Sequence, residues 1–432
     1  MNRPVVALTR WDDAGDAVRK AIELCDGLAG FRSTDRILIK PNLVFWDFDL
    51  PFPPYGVVTT TVVVSALVRF LHEEGFRHIT IGEAPLPVPA SRGREIFRAL
   101  GYERLRDRYQ VELVDFNEEP FVPVPFGEFS LRLARRALEA DRIINVPVLK
   151  THNQSVVSLG LKNLKGCLSK GSKVFCHHPR LPLDHLFPRV VEHLPVALTI
   201  IDGVFALERG PGPTGRAYRK DLVVASRDAF ACDVVGAALM GYSTEDVPHL
   251  GFFARRHGRR PHLDAIEIRG ENLATHRFRV EYDWEWTEDD TGPAGFRERG
   301  ITGIAVRKYD DTLCTGCSTL FNPMLIMLMA AYRGQPFPDV EVVSGKRRLA
   351  QPGFARTVLF GRCSCRLNRN NPHIRKAIPL PGCPPDLDLF VALMRDEGIE
   401  IDPREYVRYR HYLFNRYRAQ DGFDLRLYDF QP

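Results

Sequence analysis

Short runs of consecutive apolar residues alternate, over the first 250 residues, with longer segments whose apolar residues recur at helical spacing. The run 36–40 is typical of a buried strand, whereas 60–75 places Val63, Leu67 and Phe70 on one helical face. The alternation continues along this part of the chain. It predicts strands at 36–40, 78–82, 111–116, 142–149 and 196–201, and helices at 60–75, 92–109 and 228–240.

Strands that are apolar throughout and separated by helices predict an α/β fold, a mostly parallel sheet flanked by helices. Further along, 261–305 contains short alternating pieces at 266–269 and 276–282, which suggest a linker or a small β extension. Five cysteines follow in a smaller C-terminal α/β module, whose tail from Pro403 we expect to pack as a helix on its own domain. The predicted domains are therefore 1–260, 261–305 and 306–432.

The composition is that of a soluble globular protein: 432 residues, 44% hydrophobic and 26% charged. The net charge of +5 is small, and basic residues are mixed with acidic ones, so we expect no nucleic-acid surface. The start of the chain lacks a signal-peptide core, and the longest nearly apolar run, 323–332, is far shorter than the ~20 residues of a membrane span. We expect a cytoplasmic protein without a membrane span. The sequence does not indicate an oligomeric state.

Polar residues follow the predicted strands, at the edge of the sheet where α/β proteins bind ligands. Several cations there would suit a carboxylate or phosphate, so a small anionic substrate is one predicted partner. Equally, these lysines could lie on a solvated surface or form salt bridges with the acidic residues, and both interpretations stay open. No nucleophile motif assigns a catalytic residue. The candidate substrate-binding residues are Lys40, Asn42, Glu83, Lys150, His152, Lys162, Asn163, Lys165 and Asp202.

The nine cysteines are distributed unevenly, with five of them between 314 and 383. An odd count without an export signal argues against a disulfide framework and favours metal or redox chemistry. Cubane iron–sulfur clusters use four thiolates, of which a Cys-x-x-Cys pair such as Cys314 and Cys317 supplies two from one turn. The other ligands come from separate loops that contain Cys363, Cys365 and Cys383. The prediction is one [4Fe–4S] cluster.

Zinc is the alternative metal for four thiolates. It usually takes a second close pair of ligands, and Cys363 with Cys365 would be a weak pair of that kind. That scheme leaves the motif Pro-Gly-Cys-Pro-Pro around Cys383 unexplained. The spacing therefore favours the cluster over zinc.

Gly-x-Cys followed about twenty residues later by Pro-Gly-Cys-Pro-Pro resembles the cluster-binding subunit of respiratory complex I. The small subunit of nickel–iron hydrogenases is similar at the same place. The resemblance implies that Cys363 is the third ligand and Cys383 the fourth, with Cys365 as the alternative to Cys363. It covers only about 80 residues, and the first pair differs, because Cys314 and Cys317 are separated where the complex I subunit has adjacent cysteines.

The first 250 residues resemble a second family, the domain of unknown function numbered 362 (DUF362). The similarity includes the Lys-Pro-Asn motif at 40–42, Gly-Glu at 82–83 and Lys-Thr-His at 150–152, and it continues to 228–241. Its most specific block is Gly-Leu-Lys-Asn-Leu-Lys-Gly at 160–166. The resemblance implies an association with iron–sulfur modules, to which members of this family are often fused. It implies no established chemistry.

Together these patterns predict an iron–sulfur protein in electron transfer or redox chemistry. It would act on an anionic substrate or a redox partner protein held by the α/β domain. The chain would be an iron–sulfur oxidoreductase or its electron-transfer component, and the sequence does not decide whether it is itself an enzyme. A non-redox accessory or binding protein with a structural cluster or zinc is the alternative.

Overall fold

The computed structural model describes residues 3–12, 16–44, 52–86 and 93–430. The chain forms two compact units, and neither is one continuous segment. The first unit consists of Met1–Lys173, Asp184–Asp283 and Tyr417–Pro432; the second consists of Val174–Leu183 and Trp284–Arg416.

The strands of both units are short, apart from one long antiparallel pair in the first. They are β1 (Val5–Arg10), β2 (Ile37–Pro41), β3 (Ile79–Glu83), β4 (Glu112–Asp115), β5 (Phe121–Pro125), β6 (Ser130–Ala134), β7 (Arg142–Val146), β8 (Val148–His152), β9 (Val156–Val157), β10 (Val196–Glu208), β11 (Arg216–Ser226), β12 (Glu267–Gly270), β13 (Ile304–Val306), β14 (Val340–Ser344), β15 (Arg356–Phe360) and β16 (Ala377–Leu380).

The helices range from single turns to the four-turn helix that begins at the first cysteine pair. They are α1 (Asp16–Leu24), α2 (Thr61–Glu73), α3 (Gly93–Ala99), α4 (Tyr102–Tyr109), α5 (Arg135–Glu139), α6 (Gly160–Asn163), α7 (Lys170–Phe175), α8 (Leu183–Leu186), α9 (Ala229–Leu239), α10 (Pro248–Arg256), α11 (Leu273–His276), α12 (Ala294–Glu298), α13 (Thr315–Ala331), α14 (Arg362–Leu367), α15 (Leu387–Asp396) and α16 (Arg404–Asn415).

The main sheet of the first unit has the strand order β12-β1-β11-β10-β7-β2-β3-β4, and β8 pairs with β10 and β9. The central pairs β10–β7, β7–β2, β2–β3 and β3–β4 are parallel, whereas β11 runs antiparallel to both its neighbours. The second unit contains a four-stranded parallel sheet in the order β13-β14-β15-β16. The predicted fold class, a mostly parallel sheet flanked by helices with a smaller C-terminal α/β module, is confirmed.

Both faces of the main sheet are covered, which explains why its strands are apolar throughout. Alternate residues of one strand point to opposite faces. In β10, Ile200 belongs to one hydrophobic cluster and Ile201 to another; Val223 and Val224 of β11 divide in the same way. Helices α1 and α2 contribute to the first cluster, and α9 and α10 contribute to the second.

Two predicted elements differ from the structure. The helix predicted at 92–109 is divided into α3 and α4 at Gly101, whose φ of +70° ends the first helix; residue 92 lies outside the described ranges. The segment 276–282 was expected to be strand-like, but it holds the end of α11 and no strand. A period-two pattern over seven residues is too short to separate a strand from an extended loop.

The compact units also divide the chain at other positions than the predicted domains. Strand β12, within the predicted linker, pairs in parallel with β1 of the main sheet. Helix α16 contacts α13 of the second unit, but the residues after it return to the first unit. There, Tyr417 packs edge-on against Tyr55 at 5.3 Å between ring centroids, and the Tyr428 hydroxyl accepts a hydrogen bond from Gly56 N at 3.1 Å.

Candidate functional site

A buried ion pair joins the carboxyl ends of β2 and β3. Lys40 Nζ lies 2.7 Å from Glu83 Oε2, and both side chains are almost completely buried. Glu83 also accepts backbone hydrogen bonds from Leu43 N at 3.1 Å and Ala84 N at 2.8 Å. Because β2 and β3 are parallel neighbours, Lys40 and Glu83 reach the same edge of the sheet. This pair therefore has the salt-bridge role that the sequence left open.

Gly166, the last residue of the 160–166 block, packs directly on this ion pair. The close contact explains why glycine is required at this position. A Cβ atom at this position would lie 2.6 Å from Lys40 Nζ and would also collide with Glu83 Oε1. Only a residue without a side chain allows this close approach of the backbone. The 160–166 block thus closes over the charged strand ends.

A second buried cation lies in the middle of β8, the strand that pairs with β10 and β9. Lys150 Nζ donates to Asn42 Oδ1 at 2.8 Å and to the Val57 carbonyl at 2.6 Å. Asn42 in turn donates to Asn163 Oδ1 at 2.8 Å. Burial lowers the pKa of Lys150 to about 7, although the charge of Glu83 acts in the opposite direction. Lys150 is therefore a buried lysine that changes charge near neutral pH.

Two further buried carboxylates lie close to these strands, and neither has a lysine at ion-pair distance among the described residues. Asp202 accepts from Thr60 N at 2.6 Å and from Val204 N at 3.1 Å, and burial raises its pKa to about 6. Asp233 accepts from the first two amides of α6, at 2.6 Å and 2.8 Å, and burial raises its pKa to about 7. Their oxygens hold backbone amides in place.

The remaining candidates of this edge are spread over its surface and interior. His152 ends β8 and is partly buried, with Nδ1 accepting from Gln154 N at 3.1 Å. Lys162 is buried in α6, and its Nζ lies 4.6 Å from the centroid of the Phe187 ring. Lys165 is partly exposed in the following 3-10 turn.

The sequence analysis did not identify Asn145, Lys173 and Asp233. Asn145 Oδ1 accepts from Asn163 Nδ2 at 2.8 Å, and Lys173 Nζ donates to the Ala84 carbonyl at 2.6 Å. Burial lowers the pKa of Lys173 to about 8. Asp233 carried a visible signal, since it is a lone charge within the otherwise apolar helix α9. Lys173 had no such signal, because its surroundings come from distant parts of the chain.

In the second unit, each candidate ligand cysteine lies at the start of a helix or beside the end of a strand. Cys314 is the N-cap residue of α13, and Cys317 N donates to the Cys314 carbonyl at 3.0 Å. Cys363 follows β15 as the second residue of α14, and Cys383 lies between β16 and α15. Because β15 and β16 are parallel neighbours, their cysteine loops leave the sheet at the same edge.

These three cysteine segments contact one another. Gly361 has a φ of +87°, and a Cβ placed on it would lie 3.3 Å from Cys317 Sγ. A Cβ on Gly316 would lie 3.7 Å from Cβ of Pro384, next to Cys383. A backbone hydrogen bond of 2.9 Å also joins the first residue of α14 to the residue before Cys383. The fold thus brings together segments that are up to 69 positions apart in the sequence.

The thiols affect one another electrostatically. The pKa of Cys317 is raised first by its hydrogen bond with Cys314, then by burial, and further by the charges of Cys314, Cys363 and Cys383. The pKa of Cys363 is raised mainly by burial and also by Cys314 and Cys383, whereas Lys346 opposes the shift. Cys314 and Cys317 are buried, Cys363 is half-buried and Cys383 is exposed. One side of the group therefore faces solvent.

Cys365 points elsewhere. Its Sγ lies 3.4 Å from the Leu359 carbonyl, and it packs against the small cluster of Val343, Ala350 and Leu359. Burial raises the pKa of Cys365, and among the other cysteines only Cys363 adds to this shift. Over residues 3–12, 16–44, 52–86 and 93–430, no three His, Cys, Asp or Glu side chains stand at metal-ligand geometry. The segments that carry the four other thiols contact one another, but the thiols are not arranged around a common metal position.

Residues 37–238 match the family model described as "Domain of unknown function (DUF362)". The predicted resemblance to this family is confirmed over that range, which ends before the first candidate ligand cysteine. The chain is 29% identical over 238 residues to "Thylakoid-associated protein sll1697" of Synechocystis sp.. The aligned region covers 54% of this chain and 71% of that protein.

The lactate racemase apoprotein from Thermoanaerobacterium thermosaccharolyticum has a TM-score of 0.37 and 16% identity. The match covers 54% of this chain and 57% of that one, and a TM-score this low carries no argument about function. Of the helices that the structure describes, none has the length and apolarity to cross a membrane.

Proposed function

We propose that the second unit binds one [4Fe–4S] cluster through Cys314, Cys317, Cys363 and Cys383, and that the protein transfers single electrons. The observation that carries this proposal is the grouping of the thiols: Cys314, Cys363 and Cys383 all raise the pKa of Cys317, whereas the Cys365 side chain packs away from them against Val343, Ala350 and Leu359. Cubane clusters require four thiolates. The grouping also supports Cys363 over Cys365 as the third ligand, independently of the resemblance to complex I.

The chemistry of the site fits an iron–sulfur cluster. Four thiolates close together repel one another, and a cation among them removes that penalty. The Cys314–Cys317 pair would provide two ligands from the start of α13. When bound, the cluster would supply one-electron chemistry, with a potential set by hydrogen bonds and burial.

The test is anaerobic iron and sulfide analysis with electron paramagnetic resonance of the reduced protein. We expect about four irons and four sulfides per chain, the composition of a cubane. Cys383→Ser should lose most of the iron and the signal, and Cys365→Ser, the matched control two residues from Cys363, should keep both. Zinc in place of iron would favour the alternative, an accessory protein with a structural metal. A chain without either metal would overturn both proposals.

A second function is favoured by the lysines of the first unit: we propose that its strand ends bind a small carboxylate or phosphate. Within the described ranges, neither Lys150 nor Lys173 has a carboxylate at ion-pair distance, and burial lowers the pKa of both. An anion beside them would favour their charged forms.

This proposal is tested by calorimetric titration with inorganic phosphate and with small mono- and dicarboxylates. We expect an anion to bind the wild-type chain, and Lys173→Met to weaken its binding at least tenfold. Lys20→Met, which removes an exposed lysine of α1, should leave binding unchanged. If no anion of the panel binds the wild type, or if Lys173→Met binds it equally well, the lysines serve only the internal network.

A further inference from the structure

The second unit contains a long stretch of one charge sign. From 342 to 385 the sequence has nine lysines and arginines and no aspartate or glutamate. The rest of the chain has four more acidic than basic residues, so this stretch accounts for the whole positive charge of the protein. The mixing of charges expected from the sequence does not extend to this stretch, which contains Cys363 and Cys383.

Five of these nine cations have partners elsewhere in the second unit. Arg347 pairs with Asp311 at 2.7 Å, and Arg348 pairs with Asp290 at 2.9 Å. The others with partners are Arg356 and Lys376, which share Glu397, and Lys346, which donates to backbone carbonyls.

Four arginines of the stretch remain exposed, and none has a carboxylate at ion-pair distance in the part of the chain that the structure describes: Arg362, Arg366, Arg369 and Arg375. The first three follow helical spacing along α14 and the turn after it, where Asn368 N still donates to the Ser364 carbonyl at 3.0 Å. Residues four and three apart lie on the same side of a helix. We call Arg362, Arg366 and Arg369 the arginine surface.

Exposed leucines lie beside the arginine surface. Leu349 is 50% and Leu367 is 37% exposed. Together with Arg366, Arg369 and His373 they line a groove of about 670 Å³. Arginine and apolar side chains together are characteristic of protein–protein interfaces.

We infer that the arginine surface and this groove dock an acidic electron-transfer protein. The inference rests on the proposed cluster and names its redox partner. Cys363 belongs to the same helix as the arginine surface, and Cys363 and Cys383 are the accessible members of the thiol group. A partner bound there would approach the cluster from its solvent side. One electron would pass between the redox group of the partner and the proposed cluster, and no bond would be formed or broken.

The composition around the arginine surface favours an acidic protein over a single-stranded nucleic acid. Cationic surfaces accelerate association with acidic partners and orient them. Single-stranded nucleic acids also need exposed aromatic rings for stacking. The stretch 342–385 has only Phe354 and Phe360, of which Phe360 is buried and Phe354 faces Arg307, 5.5 Å from its ring centroid.

The test uses the anaerobically purified full chain and an acidic plant-type [2Fe–2S] ferredoxin as the probe. We expect binding that weakens at least tenfold between 50 and 200 mM salt, as for surface charge pairs. Arg366→Glu/Arg369→Glu should weaken binding at 50 mM salt at least tenfold and slow reduction of the cluster by reduced ferredoxin. The matched control is Arg297→Glu/Arg299→Glu, which reverses two exposed arginines next to α12 in the same unit and should change neither.

Iron content is measured on every variant, so that the two proposals can fail separately. If the wild type holds iron but both double variants bind ferredoxin alike, the docking inference is overturned and the cluster remains. If no variant holds iron yet binding still depends on Arg366 and Arg369, the cluster is overturned and an acidic-protein surface remains. Tighter, arginine-dependent binding of polyuridylate or of vesicles rich in anionic lipid would assign the surface to those partners and overturn the inference.

Discussion

The strand ends of the first unit and the cysteine loops of the second both collect ionisable groups, but the groups interact differently in the two places. Lys40 and Glu83 neutralise each other, Lys150 donates to two oxygens, and Asp202 accepts from two amides. Among the cysteine loops the thiols raise one another's pKa. In the first arrangement opposite charges and backbone groups already compensate the buried charges, whereas the second would gain free energy if it binds the proposed cation between thiolates.

The largest effect should come from breaking the buried pair. Lys40→Met leaves the Glu83 carboxylate buried without its cation, which should lower the free energy of unfolding by about 3–5 kcal/mol. Urea denaturation measures this loss. The control is Arg36→Met, at the exposed pair of Arg36 and Asp141, where solvent screens the interaction and little should change. Equal losses in both variants would show that the buried pair of Lys40 and Glu83 contributes no more to folding than an exposed pair does.

A smaller loss of unfolding free energy is expected when a side chain is added to Gly166, which packs on the pair of Lys40 and Glu83. Gly166→Ala places a methyl group against Lys40 Nζ and Glu83, and overpacking of this kind costs about 1–3 kcal/mol. Gly171→Ala is the control, because a Cβ there meets no atom within 4 Å. An unchanged midpoint in urea for Gly166→Ala would mean that the 160–166 block can move away from the ion pair freely.

The pH dependence of the free energy of unfolding tests the lowered pKa of Lys150. The pKa of Lys150 is lowered in the folded chain to about 7, so below this pH folding must bury its charge. Above it the folded state binds fewer protons than the unfolded state, so stability rises with pH. From pH 7 to 8.5 Lys150 should contribute a gain of about 1–2 kcal/mol. Lys150→Met should lose this gain in urea denaturation, whereas Lys20→Met should keep it; parallel curves for wild type and Lys150→Met would contradict the shift.

The smallest effect on stability is expected in the second unit. In metal-free protein, Cys383→Ser changes an exposed side chain and should alter the free energy of unfolding by less than about 0.5 kcal/mol. The same substitution should abolish most iron binding. Cys383→Ser should therefore affect iron binding rather than stability, whereas Lys40→Met should mainly lower the free energy of unfolding. If metal-free Cys383→Ser is as unstable as Lys40→Met, the cysteine loops contribute to the stability of the fold and do not serve mainly to bind a metal.

The sequence predicted features that depend on local patterns. Continuous apolar runs such as β2 were sufficient to predict a covered parallel sheet, and the carboxyl ends of its strands indicated Lys40 and Glu83. The ion pair between them could not be chosen from the sequence, because a solvated lysine has the same local pattern. Lys173 and Asn145 were missed for a related reason, since their partners come from other strands and turns.

Long-range returns of the chain were equally invisible. The alternating piece at 266–269 was recognised, and β12 lies there, but its pairing with β1 could not be predicted because the two strands are far apart in the sequence. The tail from Pro403 was expected to pack as a helix on its own domain, and α16 does so against α13. The residues after it differ, because Tyr417 and Tyr428 complete the core around Tyr55 and Phe205 in the first unit.

That returning tail has a consequence for how the protein is made. The core around Tyr55 needs Tyr417, Phe423 and Tyr428, which are translated more than 350 residues later. Domains generally fold as units during synthesis, the N-terminal ones first. Here Tyr428 must leave the ribosome before the core around Tyr55 can be completed. The second unit has every one of its segments translated earlier, so it can finish folding while the first still exposes a surface for chaperones.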